Sequence, residues 1–321
     1  MPSVFVTRAI PGPALDILID AYGKDSVEMY PEDQIIPRDQ FLETIKGRDA
    51  VLTMLTEAWD ADAFDAAQGL KVLANCAVGY NNINTDEATK HSVIATNTPD
   101  VLTETTADLA WALMMGAARR LGEAEVYLRE GKWNAWAPDL LLGNDIYRKT
   151  LGIFGMGRIG MAVARRAAGF NMKVIYNKRT QLSSEEEAEI GATYVSFDEL
   201  LEQSDHLSIH CPMSPETQGI FGAAAFKKMK DSATLVNTSR GPIVQEEALA
   251  QALENGDIAF AGIDVFEKEP EIHSALLKAP NAFLVPHIGS ATLETRTAMA
   301  SLAANNIVAV LDGKDAITPI N

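Results

Sequence analysis

One stretch limits what this chain can fold into: Lys149-Thr150-Leu151-Gly152-Ile153-Phe154-Gly155-Met156-Gly157-Arg158-Ile159-Gly160. The apolar run Leu151 to Phe154 reads as a buried strand. Gly155, Gly157 and Gly160 follow at once in G-x-G-x-x-G spacing, and Ile159, Val163, Ala164 and Ala167 then mark out a helix. The first glycine permits a tight turn and the second lets backbone approach a pyrophosphate. The third lets the helix pack closely on the strand, with its N-terminus towards the phosphates. Such spacing alone is often no more than a turn. Here a second strand, Lys173 to Tyr176, completes the strand–turn–helix–strand context that the motif requires. Gly155, Met156, Gly157, Arg158, Ile159 and Gly160 are therefore candidate dinucleotide contacts.

The second strand does not end in the acidic residue that usually binds the ribose 2′-hydroxyl. It ends in Asn177-Lys178-Arg179-Thr180. One amide, two cations and a hydroxyl suit a 2′-phosphate better than a diol, so NADP(H) is expected in preference to NAD(H), which stays the second choice. A solvated basic turn would have the same composition. P-loop chemistry is disfavoured, because no Gly-Lys-Ser/Thr follows the turn.

A length of 321 residues favours two domains over one core. Acidic residues outnumber basic ones, 44 to 27, for a net charge of -17, which repels nucleic acid and anionic membranes. No apolar run reaches the roughly 18 residues of a spanning helix. The N-terminal Val4-Phe5-Val6 reads as a strand and not as a secretory signal. The only cysteines, Cys76 and Cys211, each sit in an apolar run; two buried thiols fit a reducing cytoplasm. Neither C-x-x-C nor H-E-x-x-H spacing occurs, so no metal site is expected.

Residues 1 to about 98 alternate strand and helix, with strands at Ser3–Thr7, Val27–Tyr30, Asp49–Met54 and Val72–Ala77. This rhythm predicts a parallel sheet covered on both faces. Leu55-Thr56 and Val78-Gly79-Tyr80-Asn81-Asn82 follow two of the strands, where open parallel sheets bind ligands. Backbone N–H groups at the Gly79 turn could hold a small carboxylate; the stretch equally fits a loop that needs positive φ there. Thr98-Pro99-Asp100 reads as a linker. A long uninterrupted helix is predicted from Glu104 to about Glu130, buried by its many apolar faces. An irregular aromatic and aliphatic segment follows, Trp133 to Gly143, costly to expose and read as a dimer arm. A local packing loop is the alternative. The βαβ rhythm then resumes, and a last helix, Leu293 to Leu311, returns to the first domain.

Three ionisable residues follow three successive strands of the dinucleotide domain: Arg240, Glu269 and His287. Arginine presents a planar fork of donors to a carboxylate and can polarise a ketone. Histidine exchanges protons near neutrality, and a neighbouring glutamate would orient it and favour its charged form. Singly each has an ordinary structural explanation; beside a dinucleotide fingerprint, the three together point to acid–base redox chemistry.

The segments Ala77-Val78-Gly79-Tyr80-Asn81-Asn82-Ile83, Thr150 to Gly160, Asn237-Thr238-Ser239-Arg240-Gly241, Gly262 to Pro270 and Pro286-His287-Ile288-Gly289 resemble the D-isomer-specific 2-hydroxyacid dehydrogenases. The likeness spans nearly the whole chain. It implies an α/β fold of two doubly wound parallel-sheet domains. A Rossmann domain, 99–289, carries the dimer arm and is inserted in a flavodoxin-like substrate domain, 1–98 plus 290–321. It implies a homodimer with the active site in the cleft. Arg240 would bind a 2-oxo acid and polarise its ketone, His287 would donate the proton, and Glu269 would hold His287. Leu55, Val78, Gly79 and Leu140 would contact the substrate, Leu140 from the partner subunit. Thr106, His210, Cys211, Pro212, Thr217, Thr238, Ser239, Asp264 and Gly289 match positions that line the cofactor.

Within the family the chain looks most like glyoxylate/hydroxypyruvate reductases; D-lactate or another D-2-hydroxyacid dehydrogenase is the alternative. It lacks the length for the regulatory domain of many phosphoglycerate dehydrogenases. Glu269 stands where formate dehydrogenases of this fold carry glutamine. A dinucleotide-sensing corepressor would share the fold, but this chain keeps the full catalytic set and has no Pro-rich or basic tail.

Overall fold

Strand after strand in this chain is rich in apolar residues and half of the strands are buried at every position, the pattern of a parallel sheet buried on both faces. The computed structural model describes residues 1–321 and divides them into two units: Met1–Leu102 with Ser290–Asn321, and Thr103–Gly289.

In the first unit the strands are β1 (Val4–Val6), β2 (Val27–Met29), β3 (Ala50–Thr53), β4 (Val72–Asn75) and β5 (Ile94–Thr96). All pair in parallel, in the order β2-β1-β3-β4-β5, which is the flavodoxin-like winding. Side chains alternate across the sheet as the strand period requires. Val4, Val6, Leu52, Val72 and Ala74 pack under the helices Ala14–Tyr22 and Leu293–Leu311. Phe5, Val51, Leu73 and Ala95 pack on the opposite face with Phe41, Trp59 and Phe64. The helix Thr85–Lys90 and the strand β5 were not resolved from sequence. That helix is polar and short, with no apolar period, and is set by Asn84, whose side chain caps the Asp86 and Glu87 N–H groups.

In the second unit the strands are β6 (Thr150–Phe154), β7 (Lys173–Asn177), β8 (Ala192–Tyr194), β9 (His206–Ile209), β10 (Thr234–Asn237), β11 (Phe260–Ile263) and β12 (Ala282–Leu284). Their order, β12-β11-β10-β9-β6-β7-β8, is the Rossmann winding with one added strand. The direction of winding reverses between β6 and β9, and a ligand crevice is expected beyond their carboxyl ends.

The predicted single helix from Glu104 to Glu130 is instead two, Thr103–Ala118 and Leu121–Arg129. The break falls at Arg120, whose backbone is left-handed (φ 52°). Its guanidinium makes two 2.9 Å bonds to Glu123 and reaches the Leu142 carbonyl. Arg119 and Arg120 stand between the two helices, and arginine is a good helix former, so propensity could not reveal the break. The first helix is buried as expected: Trp111 donates to the Val163 carbonyl and stacks on Phe170. The second buries no residue and exposes Leu121, Val126 and Leu128.

Candidate active site

The turn after β6 follows the expected glycine logic. Gly155 has φ 99°, and a Cβ there would lie 2.3 Å from the Cys211 nitrogen, so β6 and β9 end in contact. Gly157 is the N-cap of the helix Arg158–Ala167; no side chain caps it, and nothing lies within 4 Å of where its Cβ would be. An uncapped helix N-terminus with room before it is a fit for a pyrophosphate.

At the end of β7, Asn177 is tied back to the fold. Its side-chain amide donates to the Val195 carbonyl (2.8 Å), fastening the strand end to the segment after β8. One of the two Asn177 amide N–H donors is thus engaged within the protein. Lys178 and Arg179 form no ion pair within 4.0 Å, although each lends some positive potential to a distant glutamate, Glu186 and Glu216 respectively. Arg179 and Thr180 are exposed.

Beyond β9, burial pushes the His210 imidazole down to about 3, so the ring is neutral; its Nε2 shares a 2.8 Å hydrogen bond with the Ser208 hydroxyl. The Ser239 hydroxyl donates to the Cys211 carbonyl and the Thr217 hydroxyl to that of Pro212, so both tie down the loop after β9. Cys211 is buried, but Cys76, expected to be buried as well, is only partly so, because it lies at the open end of β4.

The three ionisable residues gather beyond β10, β11 and β12. His287 Nδ1 lies 2.7 Å from Glu269 Oε2, and Glu269 Oε1 accepts from the Phe266 N–H (3.0 Å). Burial alone would raise the Glu269 carboxyl. The hydrogen bond and charge of His287, the Phe266 N–H and Arg240 outweigh it and hold the group below the ordinary glutamate range. Burial lowers the Arg240 guanidinium, opposed by the charge of Glu269, so the two lie within each other's field. His287 is a left-handed non-glycine residue (φ 50°), a strained backbone that its surroundings must impose. Asp264 imposes it. The Asp264 carbonyl accepts the His287 N–H, and its carboxylate accepts Ile288 N–H (2.6 Å) and Gly289 N–H (2.9 Å). Burial pushes that carboxyl up to about 6, against those two N–H groups and the His287 charge. Thr106 closes the cluster: its side chain lies 3.6 Å from the position a Gly289 Cβ would take.

In the first unit, the loops after β3 and β4 are tied by polar side chains. Asn97 donates to the Val78 carbonyl (2.7 Å) and Asn75 to that of Gly79 (3.0 Å). Sequence reading missed Glu57, which is only 3% exposed. Its Oε2 accepts from Thr7, Thr53 and the Met54 N–H, its Oε1 from Thr56, and its carbonyl from Asn82. Glu57 therefore orders the Met54–Thr56 loop through its carboxylate and holds Asn82, which closes the Val78–Asn82 loop, through its backbone carbonyl. Leu140 lies on the irregular segment of the second unit, half-buried, among exposed Trp133, Trp136 and Leu142.

Comparison with known proteins follows the same lines. Residues 111–289 match the model of the "D-isomer specific 2-hydroxyacid dehydrogenase, NAD binding domain". A glyoxylate reductase of Thermococcus gammatolerans is 46% identical over 324 residues, covering 100% of this chain and 96% of that protein. The crystal structure of a glyoxylate reductase from Paecilomyes thermophila superposes with a TM-score of 0.88 at 36% identity, covering 100% of this chain and 99% of that one. That of an NADPH-dependent glyoxylate/hydroxypyruvate reductase from Sinorhizobium meliloti, in complex with NADP and malonate, gives 0.84 at 32%, covering 99% and 96%.

Proposed function

Since this chain belongs to the D-isomer-specific 2-hydroxyacid dehydrogenases, we propose that it reduces a small 2-oxo acid, glyoxylate or hydroxypyruvate, to the 2-hydroxy acid, with His287 as proton donor and NADPH preferred. The observation that carries the reading is the 2.7 Å His287–Glu269 contact, inside the field of Arg240 and at the carboxyl ends of the sheet that also carries the dinucleotide turn. The nicotinamide supplies the hydride when bound. The turn Gly155–Gly160, Thr106, Asp264 and Gly289 are the residues proposed to hold the cofactor. Arg240 takes the substrate carboxylate and polarises its ketone. His287 gives its proton to the ketone oxygen, and Glu269 keeps the ring oriented and favours its charged form. In the first unit, Val78 and Gly79 have their carbonyls occupied by asparagine amides, so an anion there would meet N–H groups. Leu55 is the proposed apolar contact.

The preference for NADPH rests on Lys178, Arg179 and Thr180 and on the missing carboxylate at Asn177. The Sinorhizobium meliloti protein, similar to this one along its length, is NADPH-dependent. The exposed Trp133, Trp136, Leu142, Val126 and Leu128 support a homodimer built on this face, with Leu140 reaching the partner's substrate pocket. Oxidation of NADPH on addition of glyoxylate or hydroxypyruvate, followed at 340 nm, tests the activity; no turnover with either would refute it. A monomer on a sizing column would refute the dimer.

A further inference from the structure

We propose that Glu246 is a positioning residue for the His287–Glu269 pair: its buried carboxylate clamps the loop that presents Glu269. This rests on the role given to that pair above.

Glu246 opens the helix Glu246–Asn255 and is 5% exposed, whereas its neighbour Glu247 is exposed. One oxygen accepts the Glu267 N–H (2.5 Å) and the other the His273 N–H (2.7 Å). A single carboxylate thus pins both ends of the segment that has Glu269 within it. Inside those pins the segment closes on itself, Glu271 N–H donating to the Lys268 carbonyl. The turn carrying Arg240 abuts the same segment, since a Cβ on Gly241 would fall 1.9 Å from the Phe266 carbonyl. Glu246 has no cationic partner within 4.0 Å; its charge is met by backbone N–H groups and by the helix N-terminus. A carboxylate buried on these terms is costly, and glutamine cannot replace it, because one of the two N–H groups would then face a donor. The charged groups that face the pair from the adjoining strand ends are Arg240 and Asp264. Both are untouched in the variants below, so a change in pH behaviour reports the loop.

The experiment compares wild type, Glu246→Gln, Glu269→Gln, the double variant and Glu247→Gln. It measures NADPH-dependent reduction of glyoxylate across pH, with melting temperature and NADPH binding as controls. Glu269→Gln should bring the fall of rate with rising pH to lower pH, since the pair then loses its proton more easily. Glu246→Gln should move it the same way and lower kcat about tenfold, the worth of one hydrogen bond to a charged group. Its KM for NADPH should hold. In the Glu269→Gln background it should add no further pH shift, and Glu247→Gln should behave as wild type. A Glu246→Gln protein that melts lower but keeps the wild-type pH profile overturns the inference, as does an additive double variant. Should Glu246→Gln not fold, Glu246→Asp, too short to reach both N–H groups, must show the displaced profile or the inference falls. An unmoved profile in Glu269→Gln would instead refute the pairing itself.

Discussion

The two parallel sheets follow one building plan and finish their strands differently. In the first unit the carboxyl ends carry Thr7, Thr53, Asn75 and Asn97, neutral groups whose hydrogen bonds fasten loops, together with one cation, Arg8, and the one buried carboxylate, Glu57, is wholly taken up by local donors. In the second unit they carry Arg240, Asp264, Glu269 and His287, groups whose charges remain coupled to one another. Neutral side chains and an arginine that stays charged can shape a surface for a ligand but exchange no proton with it. Coupled charges kept partly out of water can. The difference fits the proposed division, with shape on one sheet and chemistry on the other.

The sharpest way to break that contrast is His287→Ala. Reduction should fall about 10²–10⁴-fold, the usual worth of a general acid, with NADPH binding retained by fluorescence titration. Activity within a few-fold at neutral pH would mean that proton transfer does not belong to the second sheet. Next is Glu57→Gln, which places one donor-bearing group among four donors. We expect KM for the 2-oxo acid to rise about tenfold, with kcat and KM for NADPH within a few-fold. A kcat loss matching that of His287→Ala would put chemistry in the first sheet.

A third test stays within the second sheet, at the end of β7, where we propose the cofactor is selected. Asn177→Asp with Arg179→Ala should shift the ratio of kcat/KM for NADPH over NADH by about tenfold or more toward NADH. Because the Asn177 amide already serves Val195, most of that shift should come from Arg179 in the single variants. A wild type indifferent to the two cofactors would refute the preference.

The smallest effect concerns one cysteine at a strand end of each sheet. Burial pushes the Cys76 thiol up to about 11 and Cys211 to about 12. Neither holds appreciable thiolate at pH 8, and iodoacetamide should label the native protein slowly, Cys76 first because it is less covered. Denatured protein should take two labels at once. Fast native labelling at Cys211 would show that the β9 end is open.

Much of this was legible in the residues because the relevant forces are local. Apolar runs of strand length, with helical periods between them, forced a buried parallel sheet, and G-x-G-x-x-G located the turn from β6. Arg240, Glu269 and His287 could be read as a set because each follows a strand. Glu57 and Glu246 could not, since a glutamate buried on backbone and hydroxyl donors looks in sequence like any solvated glutamate. For Glu246 a faint signal existed: it shares a helix face with Leu249 and Leu253, both buried. The Asn177–Val195 bond was not legible either, because Val195 lies at a different strand's exit. The helix break depends on one left-handed residue, Arg120, of a type that favours helix.

The return of Leu293–Leu311 to the first unit has a consequence for biosynthesis. Its residues Ala300, Ala303, Ala304 and Ile307 cover β1, β3 and β4. A ribosome making this chain delivers the first five strands early but their cover last, after the whole of Thr103–Gly289 has emerged. Until then one face of that nascent sheet stays wet and sticky, the condition in which chaperones are recruited. The dinucleotide unit, contiguous in sequence, is free to fold before it. A circular permutant that places Leu293–Leu311 ahead of Val4 would let the early sheet close as it is made.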